Sequence, residues 1–188
     1  MSSLPRKSLN TRQMETVEKL FTAAGELLDE IGHEQMTVRM VASRAGVSPA
    51  TAYTYFASKE HLFAELFWRM LVSADAPKLT GRTPTSRMQQ MAAHLAGLIA
   101  GNPALAAAVN KALLGSDPEV QRLRLAIGAQ WVDRFKEAIG EDADDEVILT
   151  LAFALSGALL QAGMGILAYD ELAGVLQSTV AVIMRGNE

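Results

Sequence analysis

Apolar residues recur at intervals of three and four through most of the chain, which is the spacing of helices that bury one face. The pattern is clear in residues 11–31, with Gly32 as the predicted helix end, and it returns in residues 88–99 and 169–184. No stretch alternates between apolar and polar residues for long enough to indicate a β-strand. The sequence therefore predicts an all-α fold with about nine helices.

Residues that cap helices mark several of the predicted starts. Thr37, Ser48 and Ser58 each carry a hydroxyl that can accept a hydrogen bond from a free amide in the first turn of a helix. Ser116 and Glu119 have the spacing of a capping box, so the sequence predicts that Ser116 caps the helix behind it.

Two short helices joined by a tight turn are predicted within residues 37–56. The first runs from Thr37 through Ala45, and Gly46 allows the turn to adopt a positive φ. Ser48 and the proline behind it begin the second helix. This arrangement is a helix-turn-helix, a motif whose second helix can enter the major groove of DNA.

The same pattern divides the chain into three regions. Residues 1–10 are predicted to form a flexible basic arm, because they carry Arg6 and Lys7 and no acidic residue. Residues 11–57, which we call the head, are predicted to form a three-helix DNA-binding domain. Residues 58–188, which we call the body, are predicted to form a larger helical domain.

One stretch of the body, residues 147–168, runs for 22 positions without a charge, which is long enough to span a bilayer. Its flanks are acidic and carry no Lys, Arg or Trp anchors, so we expect a buried helix and no membrane partner. Burial on all sides predicts that this helix and its successor form a homodimer interface. The predicted interface residues are Leu155, Leu159, Ala162, Gly163, Ile166, Val175, Thr179 and Val182. A purely intramolecular helix and a membrane-attached protein are the alternatives.

Composition narrows the possible functions. The chain has 188 residues, of which 49% are hydrophobic, and it contains no cysteine, which excludes disulfides and thiolate chemistry. The net charge of −4 gives no general attraction to polyanions. The first residues have no apolar core of a signal peptide, so a cytoplasmic location is expected.

No catalytic pattern is evident. The run Gly163-x-Gly165-x-x-Ala168 resembles a dinucleotide fingerprint, but it is predicted to lie inside a helix with no strand before it. The three histidines are scattered, and no Gly-x-Ser-x-Gly elbow occurs. The sequence predicts no enzyme, no metal site and no cofactor.

The segment TVRMVASRAGVSPATAYTYFASKEHLFAELF, which begins at Thr37, resembles the DNA-binding module of TetR-type (tetracycline-repressor-like) transcriptional regulators. The matching positions are Thr37, Val41, Ala42, Ala45, Gly46, Val47, Ser48, Thr51, Tyr53, Tyr55, Phe56, Lys59, Glu60 and Leu62. The resemblance implies a homodimeric repressor that binds a palindromic operator in double-stranded DNA. The residues expected to contact DNA are Arg39, Arg44, Ser48, Pro49, Ala50, Thr51, Tyr53, Thr54, Tyr55 and Lys59.

The resemblance also implies that a small molecule binds in the body and releases the protein from DNA. Methionine and aromatic side chains make adaptable apolar cavities, and an amide or imidazole can orient a ligand. The candidates are Trp68, Met88, Met91, His94, Asn110, Trp131 and Phe135, which predict an apolar or amphipathic effector. Ordinary core packing of these residues is an open alternative, as is control of the body by a protein partner.

Overall fold

The computed structural model describes residues 10–140 and 143–185, which form an all-α fold. Nine helices occur in this part of the chain, with no β-strand among the described residues. They are α1 (Thr11–Gln35), α2 (Val38–Arg44), α3 (Pro49–Tyr55), α4 (Lys59–Ser73), α5 (Pro84–Ala100), α6 (Pro103–Leu113), α7 (Pro118–Ile139), α8 (Asp145–Gly163) and α9 (Leu172–Ile183). The predicted basic arm lies outside the described residues except for Asn10, which caps α1.

The head is held together by apolar side chains from its three helices. Leu20 and Phe21 of α1 are buried with Val41 of α2 and with Phe56, which follows α3. The rings of Phe21 and Phe56 meet edge to face with their centroids 5.2 Å apart. Phe56 is therefore a core residue of the head.

α4 connects the head to the body. It packs against α6 and α7, and α5 packs mainly on α9. Buried residues of the head and the body form one continuous apolar cluster. A shift of α4 would therefore be transmitted to the head through packed side chains.

α1 extends to Gln35, but Gly32, the predicted helix end, breaks its helical geometry with a φ of 72° and a ψ of 166°. The start of α7 differs from the prediction. Asp117 caps α7 in place of Ser116, because Pro118 occupies the first helical position and the Asp117 carboxylate accepts a hydrogen bond from the amide of Glu119 at 2.9 Å.

α8 ends at Gly163, five residues before the predicted end, and α9 begins three residues after the predicted start. Gly165 adopts a φ of 73°, its amide donates to the carbonyl of Ala162, and the amide of Ile166 donates to the carbonyl of Gln161. This pair of bonds is a Schellman motif, which stops a helix. The glycine pattern of the dinucleotide-like run therefore belongs to a helix end, not to a helix interior.

Within a single chain α8 is buried on one side only, so its predicted burial on all sides requires a second subunit. Val147, Leu151 and Leu155 face inward, whereas Leu149 and Phe153 are exposed. By length and composition α8 is the one described helix that could cross a membrane by itself, and α5 with α6 could do so only as a pair bent by 98°.

Candidate functional site

The turn between α2 and α3 is built by local hydrogen bonds. Gly46 has a φ of 68°, which allows the chain to reverse after α2. The Ser48 hydroxyl accepts a hydrogen bond from the amide of Thr51 at 3.1 Å and lies 2.8 Å from the Thr51 hydroxyl. These contacts fix the start of α3 and the direction in which its outer face points.

The outer face of α3 consists of small side chains and one aromatic ring. Pro49, Ala50 and Thr54 are exposed, and Tyr53 is 47% exposed. The Thr54 hydroxyl donates to the carbonyl of Ala50 at 2.9 Å, which leaves its methyl group and oxygen lone pairs outward. A face of this size can approach base edges closely, and methyl groups suit contact with thymine.

The other α3 residues of the predicted set are less accessible. Thr51 and Tyr55 are half-buried, and Tyr55 has a further contact within the molecule. Ala52 is buried against the head core. Tyr53 is therefore the more exposed of the two tyrosines.

Two arginines near this surface have different environments. Arg39 is exposed and forms no ion pair with any residue in the described ranges. Arg44 donates to Glu30 through both terminal nitrogens, at 2.8 and 2.7 Å, and to Glu26 at 3.3 Å. The Arg44 guanidinium holds the pKa of Glu30 below its usual range. Arg44 is therefore engaged within the head, and its predicted availability for phosphate is reduced.

Lys59 is also engaged. Its Nζ donates to the main-chain carbonyls of His33 and Glu34, both at 3.3 Å, where α1 ends. A cation at this end complements the negative pole of the α1 dipole. Two of the three ammonium protons are used in this way, which leaves one for a phosphate.

A hydrogen bond joins the start of α4 to the start of α7 within the body. The Ser58 hydroxyl accepts from the amide of His61 at 3.0 Å and donates to the carboxylate of Asp117 at 2.6 Å. Ser58 caps α4 and Asp117 caps α7, so a single bond fixes two helix starts relative to each other. The Ser58 hydrogen bond is the largest cause of the lowered pKa of Asp117.

The predicted effector residues do not line one pocket. Met88 and Phe135 border a cavity of about 10 Å³ between α5, α7, α8 and α9, with room for at most one water molecule. Met91 and Trp131 are buried core residues outside that lining, and Trp68 is half-buried. In this form of the protein the apolar candidates serve as core.

The two polar candidates differ. Asn110 donates to the carbonyl of Leu159 at 3.0 Å and so links α6 to α8. His94 has a buried Nε2 without a hydrogen-bond partner. Asn110 is satisfied within the fold, whereas His94 is not.

A larger open cleft lies where the head meets the body. It has a volume of about 410 Å³ and is bordered by Leu28, Leu66, Met70 and the turn between α5 and α6. Sequence periodicity gave no signal for this cleft, because its walls come from separate helices.

The predicted dimer residues divide into two groups. Leu155 and Ala162 are buried within the subunit, and a Cβ on Gly163 would lie 2.6 Å from the Asn110 amide nitrogen. Leu155 and Ala162 therefore face other helices of the same chain. The exposed members are Gly163, Ile166, Val175 and Val182, and the half-buried members are Leu159 and Thr179.

Comparisons with known proteins agree with this architecture. Residues 20–66 match the family described as bacterial regulatory proteins of the tetR family. An HTH-type transcriptional regulator of Mycobacterium tuberculosis, Rv0767c, is 40% identical over 181 residues, which cover 95% of this chain and 85% of that protein. The transcriptional repressor KstR of Mycolicibacterium smegmatis is 29% identical over 140 residues, which cover 71% of this chain and 69% of KstR.

Solved structures share the fold. A TetR transcriptional regulator from Rhodococcus sp. RHA1 has a TM-score of 0.81 at 19% identity and covers 95% of this chain and 100% of its own. The Thermus thermophilus repressor FadR, solved in complex with lauroyl-CoA, has a TM-score of 0.67 at 22% identity and covers 90% of this chain and 94% of its own. The chain belongs to the tetR family of helix-turn-helix transcriptional regulators.

Proposed function

We propose that this protein is a cytoplasmic homodimeric repressor that binds a palindromic operator in double-stranded DNA through α3. The main support for this proposal is the outer face of α3, on which four side chains are exposed: Pro49, Ala50, Tyr53 and Thr54. Ser48 fixes the start of this helix. The head, residues 11–57, reads the DNA, and the body, residues 58–188, provides dimerisation and effector binding. No catalytic step, metal or cofactor is part of this proposal.

The residues expected to contact DNA are proposed to contribute unequally to binding. Arg39 and Tyr53 are the principal contacts, because both are exposed and Arg39 has no ion pair among the described residues. Thr54 and Ala50 contact bases through small apolar groups, so DNA shape contributes to specificity. Arg44 and Lys59 contribute less, because protein oxygens already accept hydrogen bonds from both.

The proposed dimer forms through the exposed apolar face of α8 and α9. The exposed apolar residues of α8 and its end are spaced by four or seven positions: Leu149, Phe153, Leu160 and Met164. Val175 and Val182 on α9 are also exposed. An apolar face of this kind marks an interaction surface. To read a palindrome, the dimer has to hold its two α3 helices about 34 Å apart, one turn of DNA.

The proposed effector is a small apolar or amphipathic molecule that enters the body. Support comes from relatives: FadR of Thermus thermophilus was solved with lauroyl-CoA, and FadR of Bacillus subtilis with stearoyl-CoA. Because the cavity beside Met88 and Phe135 is about 10 Å³, an effector has to separate α5 from α7 or α8 to bind. Such a movement reaches the head through α4.

The test is binding to labelled DNA from the promoter region of the protein's own gene, followed by fluorescence anisotropy. We expect Tyr53→Ala to weaken binding at least tenfold, because the side chain is removed from the reading face. The matched control is Leu125→Ala on α7, whose side chain is 71% exposed far from α3 in the chain. Equal affinity of wild type and Tyr53→Ala for this DNA would contradict the proposed role of α3.

A further inference from the structure

Arg134 on α7 is the only Lys or Arg among the described residues that is buried, with 8% of its surface exposed. Its Nη2 donates to the main-chain carbonyl of Leu71 at 2.6 Å. Leu71 belongs to the last turn of α4, where carbonyls lack helical partners. One function of Arg134 is therefore to hold the end of α4.

That function uses only part of the guanidinium. Nη1 is buried and has no hydrogen-bond partner, and no carboxylate in the described ranges forms an ion pair with Arg134. Burial lowers the pKa of Arg134, and the charge of Glu137 opposes this shift. A buried guanidinium that is not paired destabilises a protein unless a counter-charge reaches it.

His94 on α5 is close enough to Arg134 for that charge to act on it. Its Nε2 is buried without a partner, and its pKa is lowered first by burial and then by the charge of Arg134. His94 Nε2 and Arg134 Nη1 are thus two buried nitrogens on different helices that lack a partner. An anion here would accept a charge-assisted hydrogen bond from the guanidinium.

The surroundings are apolar. Trp131 lies one turn before Arg134 on α7 and is paired with Phe67 at a ring distance of 6.5 Å. Met91 lies one turn before His94 on α5 and is buried. A ligand placed here would have its charge at Arg134 and its apolar part among aromatic and methionine side chains.

A second arginine on α7 shows what a purely structural role looks like. Arg124 donates through Nη2 to the main-chain carbonyl of Gly115, also at 2.6 Å, but its side chain is only half-buried. Its Nε is buried without a hydrogen-bond partner, but the residue as a whole keeps contact with solvent. Arg134 has the same type of main-chain bond on a residue that is only 8% exposed.

We propose that Arg134 and His94 form a binding site for the carboxylate of an anionic amphiphile, whose apolar part lies beside Trp131 and Met91. This inference rests on the proposed effector-controlled function and specifies the charge of the effector. Binding also acts on α4, because an anion that draws the guanidinium of Arg134 weakens its bond to the carbonyl of Leu71. The end of α4 is then free to shift, and α4 carries the head.

The test uses straight-chain carboxylates of six to sixteen carbons and the alcohols of the same lengths as probes. Binding is measured by tryptophan fluorescence and by the shift in melting temperature. We expect the wild type to bind the best carboxylate at least tenfold more tightly than its matched alcohol. Arg134→Met should abolish this preference, whereas Arg124→Met should retain it.

A second measurement does not depend on the folding of a variant. Neutralising the charge of Arg134 removes one cause of the lowered pKa of His94, so saturation with the carboxylate should raise the pKa of His94 measured by NMR. The inference is overturned if no carboxylate is preferred over its alcohol, if the preference survives in Arg134→Met, or if the pKa of His94 does not rise.

DNA binding is measured in parallel without a probe. If the wild type does not bind DNA, the proposed function is contradicted, but the preference for carboxylates is not. Retained DNA binding without a carboxylate preference would overturn only the anion site. The two proposals are therefore tested separately.

Discussion

Asp117 provides a quantitative test of how the starts of α4 and α7 are held together. Its carboxylate caps α7 by accepting from the amide of Glu119 at 2.9 Å, and it accepts from the Ser58 hydroxyl at 2.6 Å. Loss of a helix cap costs about 1 kcal/mol. Loss of a hydrogen bond to a charged group costs about 1.5 kcal/mol at the lower end of the range, which suits this partly buried position. We expect Asp117→Ala to lower the free energy of unfolding by about 2.5 kcal/mol.

The matched control is Asp144→Ala. Asp144 caps α8 by accepting from the amide of Glu146 at 2.8 Å and is exposed. Only the cap is lost there, so we expect a cost of about 1 kcal/mol. For a chain of this size the melting temperature should fall by about 5–10 °C for Asp117→Ala and by about 2–4 °C for Asp144→Ala. Urea unfolding and calorimetry measure both. Equal losses in the two variants would refute the contribution of the bond between Ser58 and Asp117.

The same bond predicts a dependence on pH. The pKa of Asp117 is lowered in the folded protein, chiefly by the Ser58 hydrogen bond, so its ionised form is stabilised by folding. This contribution is complete above the ordinary carboxyl pKa of 3.8 and is lost as the pH falls through the lower folded value. The difference in free energy of unfolding between wild type and Asp117→Asn should therefore be constant from about pH 5 to about pH 7. It should shrink in more acidic solution. A difference that grows on acidification would contradict this assignment.

Three further predictions concern the DNA-binding surface, the dimer and the turn. Arg39→Ala should reduce the slope of log binding constant against log salt concentration by about 0.9, and Arg44→Ala by less, because Arg44 is already paired with glutamates; equal reductions would contradict this ranking. Phe153→Asp should convert dimer to monomer in sedimentation experiments, because that side chain is 69% exposed on the apolar face of α8, whereas Leu125→Asp, at a 71% exposed position on α7, should not; an unchanged dimer would exclude this face. Gly46→Ala should lower stability in urea by roughly 1–2 kcal/mol, because φ is 68° although a Cβ would meet nothing within 4 Å; an unchanged stability would refute the backbone argument.

The helix-turn-helix could be predicted because its determinants are local. The caps at Thr37 and Ser48 and the positive φ of Gly46 are all fixed within a dozen residues, and each leaves a mark in the sequence. Helix ends set by such a signal agree with the structure. The start of α7 was missed because Ser116 and Asp117 are both good caps, and only Pro118 decides between them.

Interactions between distant residues could not be predicted. Arg44 lies 14 positions from Glu30, Lys59 lies 26 positions from His33, and Ser58 lies 59 positions from Asp117. Periodicity places a side chain on a face but does not identify what the face meets. Two of the cations expected to contact DNA, Arg44 and Lys59, are therefore engaged within the protein.

The effector site shows a different limit. Methionine and aromatic residues show the same spacing along the sequence whether they line a cavity or fill a core. Met88 and Phe135 are core residues that also line a cavity of about 10 Å³. The predicted interface residues include Leu155, which is buried within the subunit, for a related reason. An apolar helix without charges has no polar side that would orient it, so Leu155 and Phe153 could not be distinguished until the neighbouring helices were placed.

The most direct test of the proposed function is selection of bound sequences from random double-stranded DNA with the purified wild-type protein. The proposal predicts enrichment of one palindrome whose half-sites have centres about 10 base pairs apart, since a two-fold dimer places its reading helices one DNA turn apart. Tyr53→Ala should lose this enrichment. Recovery of unrelated sequences with no shared palindrome would contradict the proposal that this protein is a dimeric operator-binding regulator.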